Sequence, residues 1–338
     1  MRQAVITRHG LPDVFEMREG PDPLPAPGQV RIRVRAAGIN FADILARLGL
    51  YPDAPKPPMV VGYEVAGFID DTAADVTGFA VGDRVLALTR FGGYSDVVVT
   101  SASQCFHVPG DLSDAEAAAI PVNYLTAAIA LYKMAALAPN EIVLVHNAGG
   151  GVGIAATQLA RIRRATVIGT ASVMKHDALR SFGVDHAIDY RHANVADEVR
   201  KITHGRGVDV ILDPLGGSSF TQSYRMLAPL GRLVMYGLSA AAPGERRSWW
   251  RALQTWAATP RFNPLSMINR NRGVFGLNVG HLWDEQRQLA PIMDLLLDEL
   301  RQQRLRPVVS RTFSLDQAAD AHRFIQSRSN IGKVVLTI

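Results

Sequence analysis

One stretch of the sequence, residues 141–160, constrains the fold of this chain more than any other. The segment "EIVLVHN" (141–147) has the continuous apolar character of a strand that is buried on both faces of a parallel sheet. Glycines follow at once in "NAGGGVG" (147–153), and "IAATQLARIRR" (154–164) has a helical composition. A strand, a glycine-rich turn and a helix in this order form the unit that binds dinucleotides.

The spacing within this turn is specific. Ala148, Gly150 and Gly153 occupy the three glycine positions of a dinucleotide fingerprint, with alanine in the first. The middle glycine lets the backbone approach a pyrophosphate, and the helix that follows offers N–H groups and a partial positive charge to it. A glycine-rich turn without a ligand is the alternative. We predict a pyrophosphate-binding loop formed by Ala148, Gly149, Gly150, Gly151, Val152 and Gly153.

The rest of the chain fixes the architecture. Strand–helix pairs recur after this turn, and the further strands are expected at 166–171, 186–190, 208–213, 231–238 and 273–280. Alternation of this kind predicts an α/β fold with a doubly wound parallel sheet. The first third is β-rich instead, and 338 residues exceed what one hydrophobic core usually holds. We therefore predict a doubly wound domain at 124–299 and a discontinuous β-rich domain at 1–123 and 300–338.

Composition excludes several classes of protein. Hydrophobic residues make up 48% and charged residues 20% of the chain, which is typical of a globular protein. Cys105 is the only cysteine, so an internal disulfide and a four-cysteine zinc site are excluded. No apolar run reaches the roughly 20 residues that span a bilayer, and no secretory leader is evident. We expect a soluble, cytoplasmic protein without a transmembrane segment.

The distribution of charge does not indicate that the chain binds a polyanionic macromolecule. The chain has 36 basic and 31 acidic residues, a net charge of +5. Most of the basic residues are arginines that are scattered along the sequence, and they form no stripe interleaved with aromatic residues. Such a stripe would indicate nucleic-acid binding. We expect no nucleic-acid partner, and an arginine-rich surface that helps an anionic cofactor to approach.

The cofactor's identity is read about 20 residues beyond the glycine turn, where NAD-binding proteins place an acidic residue on the ribose. Here the sequence is "GTASVMK" (169–175), with Ala171 and Ser172 in place of the acid. A hydroxyl group and Lys175 can accept a 2′-phosphate, and no carboxylate repels it. The alternative for Lys175 is an exposed lysine at the start of a helix. We predict NADP(H), with candidate contacts at Thr170, Ser172 and Lys175.

Several motifs resemble those of one known family. They are "AAGINFADILARLGLYP" (36–52), "GYEVAG" (62–67), "AIPVNYLTA" (119–127), "GVDVILDPLGG" (207–217) and "NIGKVVL" (330–336). Together with the glycine loop they resemble the medium-chain dehydrogenase/reductase superfamily, and within it the zinc-independent quinone oxidoreductases. "GTASVMKHDAL" (169–179) and "NRGVFGLNVG" (271–280) are similar to vesicle amine transport protein homologues. The resemblance covers essentially the whole chain.

The resemblance implies a fold and an assembly. The β-rich domain would be GroES-like, and two chains would form a homodimer through the last strand of the doubly wound sheet. Zinc-dependent members ligate a catalytic zinc with cysteine and histidine, but the matching positions here are Asn40 and Tyr63, and Cys105 lies in neither segment. Catalytic zinc needs about three protein ligands. We therefore predict no metal site.

The resemblance also implies a reaction, the NADPH-dependent reduction of a small hydrophobic quinone or α,β-unsaturated carbonyl compound. Hydrogen bonds can stabilise the anion that such a reduction produces without a metal. Asn40 would donate to the substrate oxygen, and Tyr51 would supply a proton, although water or Asn40 could also do so. Asp43 and Arg47 have the spacing of an ion pair on a helix, and we interpret them, like Glu64, as structural.

Further cofactor contacts follow by analogy with quinone oxidoreductases, and Lys333 lies near the last of them with a weaker claim. These candidates are Asn123, Thr126, Tyr190, Leu215, Gly216, Phe275, Gly276, Leu277, Arg328 and Asn330. An alternative function is a weakly catalytic NADP(H)-binding protein that acts through lipid, membrane or protein partners.

The segment 245–272 contains three of the four tryptophans, Trp249, Trp250 and Trp256. It could form a lid or wall of the substrate site, or an amphipathic surface for a membrane or partner. Packing against the parallel sheet or a dimer mate is the interpretation that we favour.

Overall fold

The computed structural model describes residues 1–338. The strands are β1 (Arg2–Ile6), β2 (Phe15–Glu19), β3 (Gln29–Ile39), β4 (Glu64–Thr72), β5 (Arg84–Leu88), β6 (Val97–Ser101), β7 (Cys105–His107), β8 (Ile142–Val145), β9 (Thr166–Ala171), β10 (His186–Asp189), β11 (Val208–Asp213), β12 (Leu227–Met235), β13 (Gly273–Gly276), β14 (Val309–Ser314) and β15 (Lys333–Thr337).

The α-helices lie between these strands, and a π-helical segment, Ile129–Met134, continues the third of them. They are α1 (Phe41–Leu48), α2 (Asp114–Ala117), α3 (Pro121–Ala128), α4 (Gly151–Ile162), α5 (His176–Ser181), α6 (Val195–Ile202), α7 (Ser218–Met226), α8 (Trp249–Ala257), α9 (Pro264–Arg270), α10 (Gln286–Arg301) and α11 (Ala318–Gln326). None of the helices combines the length and the apolar character that crossing a bilayer requires.

The chain forms two compact units. The first comprises Met1–Asn123, Gly244–Arg247 and Gly280–Ile338, and the second Tyr124–Pro243 and Ser248–Val279.

The return to the first unit differs from the boundary at 300 expected from the sequence. It begins at Gly280, because residues just beyond it already bind first-unit side chains. His281 Nε2 lies 2.6 Å from Asp53 Oδ2, and the carbonyl of Trp283 accepts a hydrogen bond of 2.7 Å from Gln104 Nε2. Helix α10 therefore belongs to the first unit.

The second unit is built on a six-stranded sheet in the order β10-β9-β8-β11-β12-β13. Every neighbouring pair is parallel, which confirms the doubly wound fold. Leu144, Ile168, Ile211 and Leu233 from its central strands form the core. The glycine turn follows β8, so it lies at the carboxyl edge of the sheet, where such folds bind their ligands.

The first unit is built on a mixed seven-stranded sheet in the order β14-β15-β3-β4-β5-β7, with β6 also paired to β3. The last strand, β15, runs antiparallel to β3, with Val334 opposite Ile39. Strand β4 runs antiparallel to β3 on its other side, with Val65 opposite Ala37. Because of these two registers, Asn40 after β3, Glu64 at the start of β4 and Lys333 at the start of β15 meet at one end of the sheet.

Candidate functional site

The glycine loop of the second unit is shaped by close backbone packing. Helix α4 begins at Gly151 directly after the turn. A Cβ atom at Gly153 would lie 2.7 Å from the Cα of Ala148, and one at Gly150 would lie 2.7 Å from Nδ2 of Asn147. The contact at Gly153 is with backbone and would push the turn away from the helix, whereas the Asn147 side chain could move to make room at Gly150. The N–H groups of the first helical turn have no intrahelical carbonyl to bind, so the loop presents donors to an anion.

Alanine in the first position of the fingerprint is accommodated by the neighbouring strand. Ala148 is completely buried, and its N–H donates to the carbonyl of Thr170 over 3.1 Å. A Cβ atom at Gly169 of β9 would lie 2.9 Å from the methyl carbon of Ala148. The missing side chain at Gly169 therefore makes the room that a glycine at 148 would otherwise provide.

Thr170 supports the loop from within the protein. Its side chain is buried, and its hydroxyl oxygen accepts the N–H of Asn147 over 3.3 Å. The same hydroxyl lies 3.2 Å from Nδ1 of His146, whose Nε2 lies 3.1 Å from the hydroxyl of Ser223. Thr170 therefore supports the loop and stays a candidate cofactor contact, and the supporting role of His146 was missed because a histidine in an apolar strand gives no distinct signal.

Lys175 lies beside the glycine loop. It ends a short 3-10 turn, Val173–Lys175, which begins after Ser172, and its Cδ would be 3.0 Å from a Cβ atom at Gly149. Strand β9 ends at Ala171 without an acidic residue. An ammonium group, a hydroxyl group and free N–H donors at this edge are the groups that bind phosphates. The loop and its neighbours therefore fit a nicotinamide dinucleotide.

The other candidate contacts of the second unit lie in or shortly after strands of the same sheet, or on helix α3. Tyr190 directly follows β10 and is 40% exposed. The N–H of Leu215 donates to Asp213 Oδ1 over 2.8 Å, and Gly216 has φ +89°, a conformation that side chains disfavour. Thr126 is buried on α3. Strand β13 contains Phe275 and Gly276, and Leu277 follows it directly. The ring of Phe275 is exposed, whereas Leu277 is buried.

Three side chains meet at the end of the first unit's sheet, and we call them the Asn40 cluster: Asn40, Glu64 and Lys333. The ammonium of Lys333 forms an ion pair with Glu64, and both side chains are almost completely buried. Lys333 Nζ also donates to Asn40 Oδ1 over 2.7 Å, and Asn40 Nδ2 donates to Glu64 Oε1 over 2.9 Å. The second oxygen of Glu64 accepts the N–H of Val122 over 2.7 Å.

The Asn40 cluster fixes the direction of one amide group. Lys333 can only donate and the Glu64 carboxylate can only accept, so the amide of Asn40 cannot flip without losing both bonds. One N–H of its NH₂ group is used by Glu64, and the second remains as a donor. The interpretation of Glu64 as structural fits this arrangement, whereas Lys333, to which the motifs assigned only a weaker claim as a cofactor contact, is a buried partner of both Glu64 and Asn40. Its position in the otherwise apolar strand "KVVL" was the signal.

Asp43 and Arg47 do not form the ion pair expected from their helical spacing. The carboxylate of Asp43 accepts the N–H groups of Asn40 and Gly62, over 2.7 and 3.0 Å. Arg47 donates instead to the carbonyl of Gly10 and to the side chains of His322 and Gln326. Burial raises the pKa of Asp43 to about 7 and lowers that of Arg47 to about 10.

Tyr51 lies in an aromatic group of the first unit. Its ring meets that of Tyr63 edge-on, with centroids 6.2 Å apart at 80°. Tyr63 also packs against Phe91 at 5.2 Å and lies parallel to Trp283 at 6.5 Å. Burial raises the pKa of Tyr63 far above its ordinary value, so this phenol stays protonated.

The remaining candidates of the first unit are Arg328, Asn330 and Asn123. Arg328 and Asn330 belong to the turn after α11, where Arg328 is exposed with φ +59°. Asn330 Nδ2 donates to the carbonyl of Gly332 over 2.9 Å. Asn123 is buried on α3, and its Nδ2 donates to the carbonyl of Ala119 over 3.2 Å.

A doubly wound parallel sheet with this loop, in one chain with a separate β-rich unit, is typical of nicotinamide-dependent oxidoreductases. Residues 26–110 match the alcohol dehydrogenase GroES-like domain, and residues 182–336 match the zinc-binding dehydrogenase family. The chain belongs to the medium-chain dehydrogenase/reductase superfamily, as its motifs predicted.

Individual relatives agree with this placement. The chain is 42% identical over 339 residues to the synaptic vesicle membrane protein VAT-1 homolog of Danio rerio. The alignment covers 99% of this chain and 70% of that protein. Its structure resembles that of Escherichia coli quinone oxidoreductase complexed with NADPH, with TM-score 0.89, 26% identity and 100% coverage of both chains. CurK enoyl reductase is similar with TM-score 0.85 and 30% identity, covering 99% of this chain and 98% of that chain.

The residues of this chain do not fit the zinc ion that the second family's description implies. No three of its histidine, cysteine, aspartate and glutamate side chains form a group that could hold a metal. Asn40 is engaged by an ammonium group, which repels a cation, and Tyr63 is a protonated phenol. Burial also raises the pKa of the Cys105 thiol to about 12, whereas zinc binds the thiolate. We therefore assign no chemical step to a metal.

The Asn40 cluster makes a prediction about stability. The substitution Lys333→Met should lower the free energy of unfolding by about 3–5 kcal/mol, because it leaves the buried carboxylate of Glu64 without its counterion. Urea unfolding monitored by circular dichroism measures the change.

A matched control is Lys201→Met, which removes the exposed partner of Glu198 and should leave the unfolding midpoint nearly unchanged. Adding Glu64→Gln to Lys333→Met should recover part of the loss. Equal effects of Lys333→Met and Lys201→Met would contradict the importance of the buried pair.

Proposed function

We propose that this protein is an NADPH-dependent reductase of quinones and α,β-unsaturated carbonyl compounds. The observation that carries the proposal is the fixed amide of Asn40, which offers a hydrogen-bond donor without a metal. A preoriented donor stabilises an oxyanion that develops on a substrate. An unassisted alkoxide is harder to stabilise than the enolate or hydroquinone anion of a conjugated acceptor, so the conjugated acceptor suits this site better.

The coenzyme would be held by the glycine loop and its neighbours. Ala148–Gly153 would bind the pyrophosphate, while Ser172, Lys175 and Tyr190 would bind the adenosine phosphate. Bound NADPH supplies a hydride to the substrate. The remaining coenzyme contacts in this proposal are Asn123, Thr126, Thr170, Leu215, Gly216, Phe275, Gly276, Leu277, Arg328 and Asn330.

The chain's own residues would handle the oxygen and the proton. Asn40 would donate its second N–H to the substrate oxygen, and the phenol of Tyr51 would supply a proton to the anion. The neighbouring rings of Tyr63, Phe91 and Trp283 give this part of the unit an apolar, aromatic character that suits a flat hydrophobic substrate.

Two relatives support the reaction class. One is a quinone oxidoreductase solved with NADPH, and another is an enoyl reductase, whose name denotes reduction of a conjugated double bond. Strand β13 is the edge of the six-stranded sheet, so its free side is available for pairing with a second copy. The proposal accordingly includes a homodimer that forms through β13. A cytoplasmic location is a separate part of the proposal.

The reaction is tested by NADPH consumption at 340 nm with 1,4-benzoquinone, 9,10-phenanthrenequinone and a short 2-alkenal as alternative acceptors. We expect turnover well above the uncatalysed rate with at least one of them. The variant Tyr51→Phe should lower kcat with little change in the KM for NADPH, because only the proton donor is removed.

Turnover at the background rate with all three acceptors would contradict the proposed reaction. An unchanged kcat in Tyr51→Phe would remove only Tyr51 from it and leave water or Asn40 as the proton donor.

Coenzyme choice makes a separate prediction. The substitution Lys175→Glu should raise the KM for NADPH at least tenfold and change that for NADH much less, because the new carboxylate repels the 2′-phosphate. Lys201→Glu makes the same charge change on helix α6, outside the proposed binding residues, and should affect neither coenzyme. Equal effects of Lys175→Glu on both coenzymes would contradict the NADP(H) assignment.

A second candidate function, binding to a lipid surface, is favoured by helices α8 and α9. Trp249, Trp250 and Trp256 are 61%, 67% and 72% exposed. At these exposures the three rings do not pack on the chain's own sheet, the first half of the favoured interpretation, while the second half, packing on a dimer mate, stays a prediction. Phe262 of this segment does pack on the sheet's core, beside Tyr224. Exposed tryptophans flanked by arginines suit the headgroup region of an anionic bilayer, and the curated relative is named a vesicle membrane protein.

Sedimentation with vesicles tests this candidate. We expect binding to phosphatidylserine-containing vesicles that weakens with salt and with the double variant Trp250→Ser/Trp256→Ser, and weaker binding to phosphatidylcholine vesicles. The exposed Met174, replaced by Ser, serves as the control. Absence of binding to both vesicle types would contradict it, and activity of the same samples shows whether the two functions coexist.

A further inference from the structure

A row of four polar side chains crosses the interior of the first unit. It consists of Arg47 from α1, His322 from α11, Tyr94 from the segment before β6, and Asp43 from α1, and all four have no solvent exposure. A buried arginine without a carboxylate partner is costly, and apolar residues of similar size would be at least as stable. The arrangement therefore calls for a reason other than stability.

The hydrogen bonds of this row have one direction. A guanidinium only donates, so Nδ1 of His322 accepts from Nε of Arg47 over 3.3 Å. Burial and the charge of Arg47 hold the pKa of His322 well below its ordinary value, so the ring is neutral and carries its proton on Nε2. That N–H donates to the oxygen of Tyr94 over 3.2 Å, and the phenol donates to Asp43 Oδ2 over 3.1 Å.

The row ends on the two backbone segments that carry the substrate-facing residues of the proposed function. Asp43 Oδ2 accepts the N–H of Asn40, and Oδ1 accepts the N–H of Gly62, the residue before Tyr63. The carboxylate thus joins the end of β3 to the start of β4. Asn40 is held by its side chain through the Asn40 cluster and by its backbone through Asp43.

We propose that Arg47, His322, Tyr94 and Asp43 act as one relay of positioning residues, which fixes Asn40 and Tyr63 for the reduction. This inference rests on the proposed function. The opposite end of the row is anchored, because Arg47 also donates to the carbonyl of Gly10 over 2.5 Å and to Gln326 Oε1 over 2.6 Å. The position of Asp43 on α1 consequently depends on α11 as well, through His322 and Tyr94.

The relay needs Asp43 as a carboxylate. Its two oxygens accept three hydrogen bonds, and a proton on either would face a donor. Burial raises the pKa of Asp43, while the charge of Lys333 on β15 and the hydrogen bond from Tyr94 lower it. Tyr63 also interacts electrostatically with Asp43. His322 and Arg47 follow Tyr94 in the row and do not contact Asp43 directly. Activity should therefore fall as pH decreases through the pKa of Asp43. Removal of the Tyr94 hydroxyl raises that pKa, so the fall should begin at a higher pH.

The test is the variant Tyr94→Phe, which removes one hydroxyl and keeps the ring. We expect kcat for quinone reduction to fall roughly tenfold, the energetic equivalent of one buried hydrogen bond to a charged group. The acid limb of the kcat–pH profile should move to higher pH, and the dissociation constant of NADPH should stay unchanged.

Tyr132→Phe is the matched control, because it also removes a phenol that donates one hydrogen bond, to the carbonyl of Leu159 in the second unit. It should change neither kcat nor the acid limb. His322→Phe interrupts the relay one residue further from Asp43, and it should move kcat and the acid limb in the same direction as Tyr94→Phe.

Hydrogen exchange provides a readout that does not depend on activity. In Tyr94→Phe, the amides of Asn40 and Gly62 should exchange faster, while those of β8 should not. Unchanged exchange at both amides, or a lower kcat with an unmoved acid limb, would overturn the relay. A wild-type protein that reduces none of the acceptors would contradict the proposed function, and the exchange result would still decide whether the relay holds these two segments.

Discussion

The buried carboxylate of Glu64 is the group on which the arrangement of the first unit depends. A charge without solvent exposure must be compensated inside the protein, and here Lys333, Asn40 and the N–H of Val122 compensate it. These partners come from β15, the end of β3 and the start of α3, which are far apart in the sequence. One electrostatic requirement therefore ties the last strand of the chain to its first sheet, and the same bonds orient the amide that the proposed reaction uses.

The second unit solves a different problem, the binding of an anion without a dedicated cluster of cations. Backbone N–H groups at the start of α4 provide the donors, and close packing of Gly153 on Ala148 keeps them in place. The buried bonds among His146, Thr170 and Ser223 hold the loop from the protein's interior. Preorganised donors of this kind favour a phosphate because the protein need not rearrange to bind it.

The sequence predicted the fold class, the superfamily and the glycine loop, because each depends on residues that are neighbours along the chain. It was less informative wherever distant residues meet. The spacing of Asp43 and Arg47 indicated a pair on one helix, yet both turn inward to Tyr94 and His322, which come from other elements. The bonds that Thr170 makes to His146 and Asn147 were likewise not visible in the motif. The tryptophans of α8 are apolar by composition and exposed in the structure, since nothing in that segment indicates which face is covered.

Local patterns determined the order of strands and helices, the glycine turn before α4 and the absence of an acid after β9. These properties follow from backbone geometry and residue size over a few consecutive positions, and a sequence displays them directly. Only the tertiary structure decided which charges are buried and what they bind. The registers of β15 and β4 on β3 bring Lys333 and Glu64 to Asn40, and the packing of α11 brings His322 to Tyr94. Burial and partner choice are set by how the whole unit packs, and no short segment contains that information.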